Sequence, residues 1–156
     1  MVKKYDIVGA IFCGGKSRKM DEFLSNGLTR IETLVNTLMP FCREIVFVGQ
    51  IKHIPDSFSH LKIIPNNYDH CGTIGAFEAL LNSGLADEYL TAPGDLDKPD
   101  PKIFEALMSY GGSYPVVVRY KNKIQPLMGR YPAFLKTLTT QYIAYDNLSM
   151  DDFLAT

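Results

Sequence analysis

Two short stretches of this chain carry residues able to act on a phosphate group. The first is C-G-G-K-S-R-K-M, residues 13–20. Gly14 and Gly15 let backbone N–H groups approach an anion at little steric cost, and Lys16, Arg18 and Lys19 add positive charge in close succession. A glycine pair after a strand is most often a plain tight turn, but the three cations make anion binding the stronger reading. The second stretch is T-A-P-G-D, residues 91–95, where an apolar run ends on the carboxylate of Asp95. Gly-Asp is a common turn pair, so a turn or helix-capping role is the alternative for that aspartate.

Gly15-Lys16-Ser17 also completes the phosphate-cradling pattern G-x-x-x-x-G-K-[ST], but Ala10 stands where its first glycine belongs. Ala10, Ile11 and Phe12 continue an apolar strand, and no helical periodicity begins after Ser17. The stretch therefore parses as strand A-I-F, turn C-G-G and basic loop K-S-R-K-M, which is not a P-loop.

The elements that must position these groups follow from hydrophobic periodicity. D-I-V-G-A-I-F (6–12) is a short apolar run bounded by glycine and reads as a buried strand. Leu28, Ile31, Leu34, Val35, Leu38 and Met39 recur at helical spacing, which predicts an amphipathic helix from Leu28 to Phe41 closed by Pro40. E-I-V-F-V-G (44–49) and L-K-I-I-P (61–65) read as strands, and residues 73–84 as a helix with Gly84 as its C-cap. E-Y-L-T-A-P-G-D (88–95) reads as a buried strand that delivers Asp95, followed by a helix over 100–112 with Pro101 in its first turn. Strands over 114–120 and 126–131, a helix over 132–140 and a terminal helix over 149–156 capped by Ser149 complete the chain. Phe77, Phe104 and Phe134 fall in apolar helical stripes and are expected in the core.

Strands alternating with helices predict a three-layer α/β fold, a mostly parallel, Rossmann-like sheet with helices on both faces, in a single domain over residues 1–156. Ligands of such sheets bind outside the carboxyl ends of the strands, which is the edge where both chemistry-bearing stretches fall.

Composition narrows the partners. The formal net charge is −1 and no stripe of Lys and Arg develops, so a nucleic-acid partner is not expected. Lys3-Lys4 and the alternating Arg119, Lys121 and Lys123 read as solvated faces. Cys13, Cys42 and Cys71 are odd in number and form no C-x-x-C pair, which argues against a disulfide framework or a zinc site and for a reducing compartment. No apolar run is long enough to span a bilayer, so the expectation is a cytoplasmic protein with no membrane partner. His53, His60 and His70 show no ligand spacing and read as exposed loop residues.

F-C-G-G-K-S-R-K-M (12–20) resembles the L-A-G-G-x-S-x-R-M-G signature of the MobA-like nucleotidyltransferases, the molybdenum cofactor guanylyltransferases. Further matches follow in order. I-I-P-N-N-Y-D-H-C-G-T-I-G-A-F-E-A-L (63–80) resembles the segment with an acidic residue, G-P-L-x-G and a helix, and Y-L-T-A-P-G-D-L-D (89–97) resembles a strand ending in P-C-D-M-P. Q-P-L-M-G-R-Y-P (125–132) and Y-D-N-L-S-M-D-D-F (145–153) resemble the family's H/Q-P-L-x-x-x-Y strand and its closing N-x-N-T-P-E-D-L.

The resemblance implies a nucleotide-diphospho-sugar transferase type of fold and Mg²⁺-dependent transfer of GMP from GTP to molybdopterin, with release of pyrophosphate. It further implies that Phe12, Cys13, Gly14, Gly15, Lys16 and Ser17 bind the nucleotide. Lys19 stands at the position of a catalytic arginine, keeping the charge but losing the bidentate fork. The same resemblance implies that Asp95 is the catalytic aspartate holding Mg²⁺ on the phosphates, and that Asp146, where N-x-N begins, completes the metal site. Asn66 takes the place of an acidic residue that binds guanine, and an amide pairs less well than a carboxylate with the guanine N–H edge. Asp97 replaces a proline, with a supporting role at the metal and a turn role both open. Cofactor-delivery proteins or molybdoenzyme chaperones are the implied protein partners.

The chain departs from the pattern at Met20-Asp21-Glu22-Phe23-Leu24, where the family has M-G-x-D-K. Losing one cation from a site that stabilises phosphoryl charge typically costs on the order of 10²-fold in rate. The segment after Tyr131 is also short, in the region that helps bind the pterin. Two alternatives therefore stay open: a catalytically weak nucleotide-binding homologue, and a nucleotidyltransferase acting on a sugar or alditol phosphate.

Overall fold

Six strands form one sheet in the order β3-β2-β1-β4-β6-β5. They are β1 (Ile7–Cys13), β2 (Glu44–Gly49), β3 (Lys62–Ile64), β4 (Glu88–Pro93), β5 (Val116–Tyr120) and β6 (Lys123–Pro132). The helices are α1 (Arg30–Leu38), α2 (Gly72–Leu81), α3 (Pro101–Ser109), α4 (Lys136–Ala144) and α5 (Met150–Ala155). The structure, a computed structural model, describes residues 7–13, 28–49, 56–66, 72–111 and 114–155.

β3, β2, β1 and β4 pair in parallel, whereas β6 runs antiparallel to both β4 and β5. The expected mostly parallel sheet with helices on both faces is therefore what the chain forms. Its strands alternate between two apolar layers. Val8, Ala10, Phe12, Val46 and Val48 pack with residues of α2 and α5, including Phe77 and Phe153. Ile7, Ile11, Ile45, Phe47, Leu90 and Ala92 pack on the opposite face with residues of α1 and α3, including Leu34 and Phe104.

α1 starts at a capping box. Thr29 Oγ1 accepts from Glu32 N–H at 3.1 Å, and Thr29 N–H donates to Glu32 Oε1 at 3.2 Å, so the helix begins at Arg30 rather than at Leu28. It ends in a 3-10 turn, Met39–Phe41, that contains the expected Pro40. Gly84 holds φ +73° as a terminating glycine does, although α2 itself stops at Leu81. Ser149 caps α5, its Oγ accepting from Asp152 N–H at 3.1 Å.

Phe134 corrects an expectation. It lies 60% exposed in a 3-10 turn, Ala133–Leu135, outside the core in which Phe77 and Phe104 are fully buried. β6 continues through Pro132, and Ala133 N–H is bonded to Asp87 O at 2.7 Å, so the helical turn cannot begin where the apolar spacing suggested. Phe134 consequently falls in a connector instead of on a helix face.

At the amino edge of the sheet a buried arginine ties layers together. Arg130 Nε lies 2.9 Å from Glu88 Oε2, and Nη1 donates to Leu107 O at 3.0 Å and to Met108 O at 3.3 Å. Nη2 donates to Tyr110 O. One guanidinium on β6 thus joins the start of β4 to the carbonyls that α3 leaves open at its C-terminus.

Candidate active site

From β1 the chain steps through β2 to β3 on one side and then returns to lay β4 against the other side of β1. The strand order therefore reverses between β1 and β4, and the crevice outside their carboxyl ends is where this architecture places a ligand. Phe12 is opposite Pro93 and Cys13 is opposite Gly49, which brings three strand ends to that point.

Gly49 is required there. Its φ is +104°, and a Cβ at that position would sit 2.1 Å from Cys13 O. Only a glycine lets β2 end this close to the carbonyl that leads into Gly14. On the other flank Gly94 N–H donates to Phe12 O at 2.8 Å, and Leu96 N–H closes a turn onto Pro93 O at 3.2 Å. Pro93-Gly94-Asp95-Leu96 is thus a tight turn pinned to β1, and it presents Asp95 exposed to solvent. Lys98, just beyond, adopts φ +52°.

Asp97 is engaged by α1: its Oδ1 accepts from Arg30 Nη1 at 2.6 Å. A paired Asp97 joins the turn after β4 to the start of α1. Asn66 follows β3 by two residues and is half-buried, at the same carboxyl edge but two strands from β1.

Asp146 comes to this edge by a longer route. Lys136, at the start of α4, lines one cleft with Leu81 and Gly84 beyond the end of α2. Thr140 Oγ1 reaches Glu78 Oε1 at 3.5 Å. α4 therefore runs antiparallel to α2 and carries its C-terminus toward the carboxyl edge. Asp146 itself adopts φ +58° and ends the helix, with Asn147 N–H closing back onto Tyr142 O at 2.8 Å. That is a backbone task that Asp performs well, since its short polar side chain tolerates the left-handed region.

β6 completes the crevice beyond β4. Its pairing with β5 shifts between Val117 and Val118, whose partners are Gly129 and Gln125. Pro126, Leu127 and Met128 form the extra length, held by Tyr131 Oη donating to Pro126 O at 2.6 Å. Thr91 fixes the rim, its Oγ1 accepting from Gly129 N–H at 3.1 Å.

The chemistry available in the described part is that of binding and charge neutralisation. Burial pushes the Cys13 thiol up to about 12, which keeps it protonated at neutral pH and unsuited to act as a nucleophile or soft metal ligand. Among the described residues no three His, Cys, Asp or Glu side chains converge on a metal position. One exposed carboxylate at the crevice fits an ion such as Mg²⁺, which takes one or two carboxylates and completes its shell with phosphate oxygens and water.

Of the site residues expected from the sequence, Phe12, Cys13 and Asp95 come together at the strand ends, and Asn66 and Asp146 lie along the same edge. Gly14, Gly15, Lys16, Ser17 and Lys19 lie outside the described residues, as do Arg18, Asp21 and Glu22. Gly49 and the Arg30–Asp97 pair are what sequence reasoning missed. Gly49 was visible only as the end of a strand, and 67 positions separate the two charges, a span over which no local pattern operates.

A molybdenum cofactor guanylyltransferase of Ectopseudomonas mendocina is 25% identical over 134 residues, covering 81% of this chain and 66% of its own length. A Carboxydothermus hydrogenoformans protein named "Probable molybdenum cofactor guanylyltransferase" is 26% identical over 149 residues, covering 92% of this chain and 75% of its own. The chain thus spans about two thirds to three quarters of the length of these relatives. The crystal structure of molybdopterin-guanine dinucleotide biosynthesis protein A from Archaeoglobus fulgidus superposes with a TM-score of 0.71 at 19% identity, over 95% of this chain and 78% of that one, which establishes likeness of fold. The family described as the MobA-like NTP transferase domain matches residues 9–145, from the middle of β1 to the end of α4 and across every strand of the crevice, and the chain belongs to that family.

Proposed function

We propose that this protein transfers GMP from GTP to molybdopterin in the presence of Mg²⁺, forming the guanine dinucleotide form of the cofactor. The observation that carries the reading is the turn bearing Asp95, which is hydrogen-bonded to β1 at the residue before Cys13, at the point where the strand order reverses. Membership of a nucleotidyltransferase family and the names of the relatives support the reaction class.

In this reading a phosphate oxygen of molybdopterin attacks the α-phosphorus of GTP in line. The new O–P bond forms as the bond from the α-phosphorus to the bridging oxygen breaks, and the electron pair leaves with pyrophosphate. The attacking group is already an anion, so no side-chain nucleophile or general base is needed, in keeping with the protonated Cys13 thiol. Gly14, Gly15, Lys16, Ser17 and Lys19 hold the triphosphate in this reading, together with Phe12 and Cys13 at the end of β1. Asp95 supplies the carboxylate for Mg²⁺, with Asp146 as a second one, and a bound Mg²⁺ would neutralise charge on the phosphoryl oxygens. Asn66 contacts the base. Cofactor-delivery proteins or molybdoenzyme chaperones belong to the same reading as partners.

Pyrophosphate release from GTP and molybdopterin, set against CTP and ATP as donors, tests it directly. Release that requires GTP, molybdopterin and Mg²⁺ together is expected, and preference for CTP would contradict it. A second reading rests on the missing loop lysine, where Leu24 stands in the resembled pattern, and on the negative charge that Asp21 and Glu22 add beside it: a homologue that binds nucleotide and transfers it poorly. Its signature is nucleotide binding without pyrophosphate release from the bound nucleotide, whether molybdopterin or a sugar or alditol phosphate is offered as acceptor.

A further inference from the structure

The turn that carries Asp95 is tied at both ends. On one side Gly94 N–H donates to Phe12 O at 2.8 Å, which joins the turn to β1. On the other, Asp97 Oδ1 accepts from Arg30 Nη1 at 2.6 Å, which joins it to the first residue of α1. Asp95 lies one residue from the first tie and two from the second. Leu96, between them, packs against the apolar layer shared by α1 and α3 and sets the depth of the turn. The Arg30 side chain is 13% exposed and that of Asp97 is 64% exposed. The ion pair thus joins a largely buried guanidinium to a largely solvated carboxylate.

We propose that the Arg30–Asp97 ion pair positions the Asp95 carboxylate for a divalent cation carried on a nucleoside triphosphate, which makes Arg30 and Asp97 positioning residues of the crevice. The inference rests on the nucleotide-binding reading above. Pairs with one solvated partner add little to folding, so the pair's consequence falls on geometry instead of on stability. Displacing a cation-binding carboxylate by a fraction of an ångström lowers metal affinity on the order of tenfold, the scale seen when groups that orient metal ligands are removed.

The test uses the full chain, with GTP as ligand and Mn²⁺ as a spectroscopic stand-in for Mg²⁺. GTP affinity without metal is measured by calorimetry, and Mn²⁺ affinity in saturating GTP by electron paramagnetic resonance. Arg30→Gln, Asp97→Asn, their double variant and Asp97→Glu are compared with wild type, with thermal melts to establish folding. The expected result is unchanged metal-free GTP affinity and Mn²⁺ affinity lowered on the order of tenfold in each single variant. The double variant falls no further, and Asp97→Glu recovers most of the loss.

Wild-type Mn²⁺ affinity in folded single variants would overturn the proposal and leave the nucleotide reading intact. Metal-free GTP affinity lost in Arg30→Gln alone would also overturn it, by making Arg30 a direct phosphate ligand. A wild-type protein that binds no nucleotide would remove the functional reading, and this proposal with it.

Discussion

At the scale of single residues, Asp95 was legible because an apolar run that ends on Gly-Asp can place the carboxylate only at a strand's carboxyl end. The neighbours that give it a fixed place were not. Gly49 reads as a strand stop, and its importance emerges only once the parallel register sets it opposite Cys13. Replacing it by alanine must both force a side chain into φ +104° and push a Cβ against Cys13 O. Gly49→Ala is expected to lower stability by about 2–4 kcal/mol, read from urea midpoints. Gly84→Ala, with φ +73° and open space around it, is the control and should cost only about 1 kcal/mol. Equal effects of the two would show that the close approach of β2 to β1 is not what this glycine serves.

At the scale of elements, periodicity located strands and helices where packing decides them, because each strand alternates between two apolar layers and each long helix offers one of them an apolar stripe. Boundaries set by local hydrogen bonds were less visible. The T-R-I-E signature at Thr29 sets the start of α1 two residues later than hydrophobic spacing does, and β6 runs four residues longer than the apolar run over 126–131 because the antiparallel pairing that extends it begins in a two-residue turn. Lys121 and Asn122 hold φ +51° and +62° in that turn, linking β5 to β6 directly. The same antiparallel return brings Arg130 beneath the end of α3, a junction that no local pattern announces. Arg130→Met should cost about 3–5 kcal/mol, since it leaves Glu88 and three helix-end carbonyls without their donor. Calorimetric melting checks this, and a loss below about 1 kcal/mol would mean that water or other groups satisfy those acceptors.

At the scale of the whole molecule, alternation of strands and helices was enough to anticipate a three-layer fold with a ligand edge, and the family match over residues 9–145 shows that fold in a nucleotidyltransferase setting. What alternation could not supply was strand order, because the reversal between β1 and β4 depends on where a strand is inserted in space. That reversal brings the carboxyl end of β1 beside the turn that follows β4, and one claim depends on it: nucleotide binds there with a divalent cation held by Asp95. Calorimetric titration of GTP into wild type and Asp95→Asn, with and without Mg²⁺, tests that claim most directly. The account predicts that Mg²⁺ tightens GTP binding to wild type and that Asp95→Asn abolishes the Mg²⁺ effect while sparing the metal-free affinity. An Asp95→Asn protein whose GTP binding Mg²⁺ strengthens as much as in wild type would contradict it.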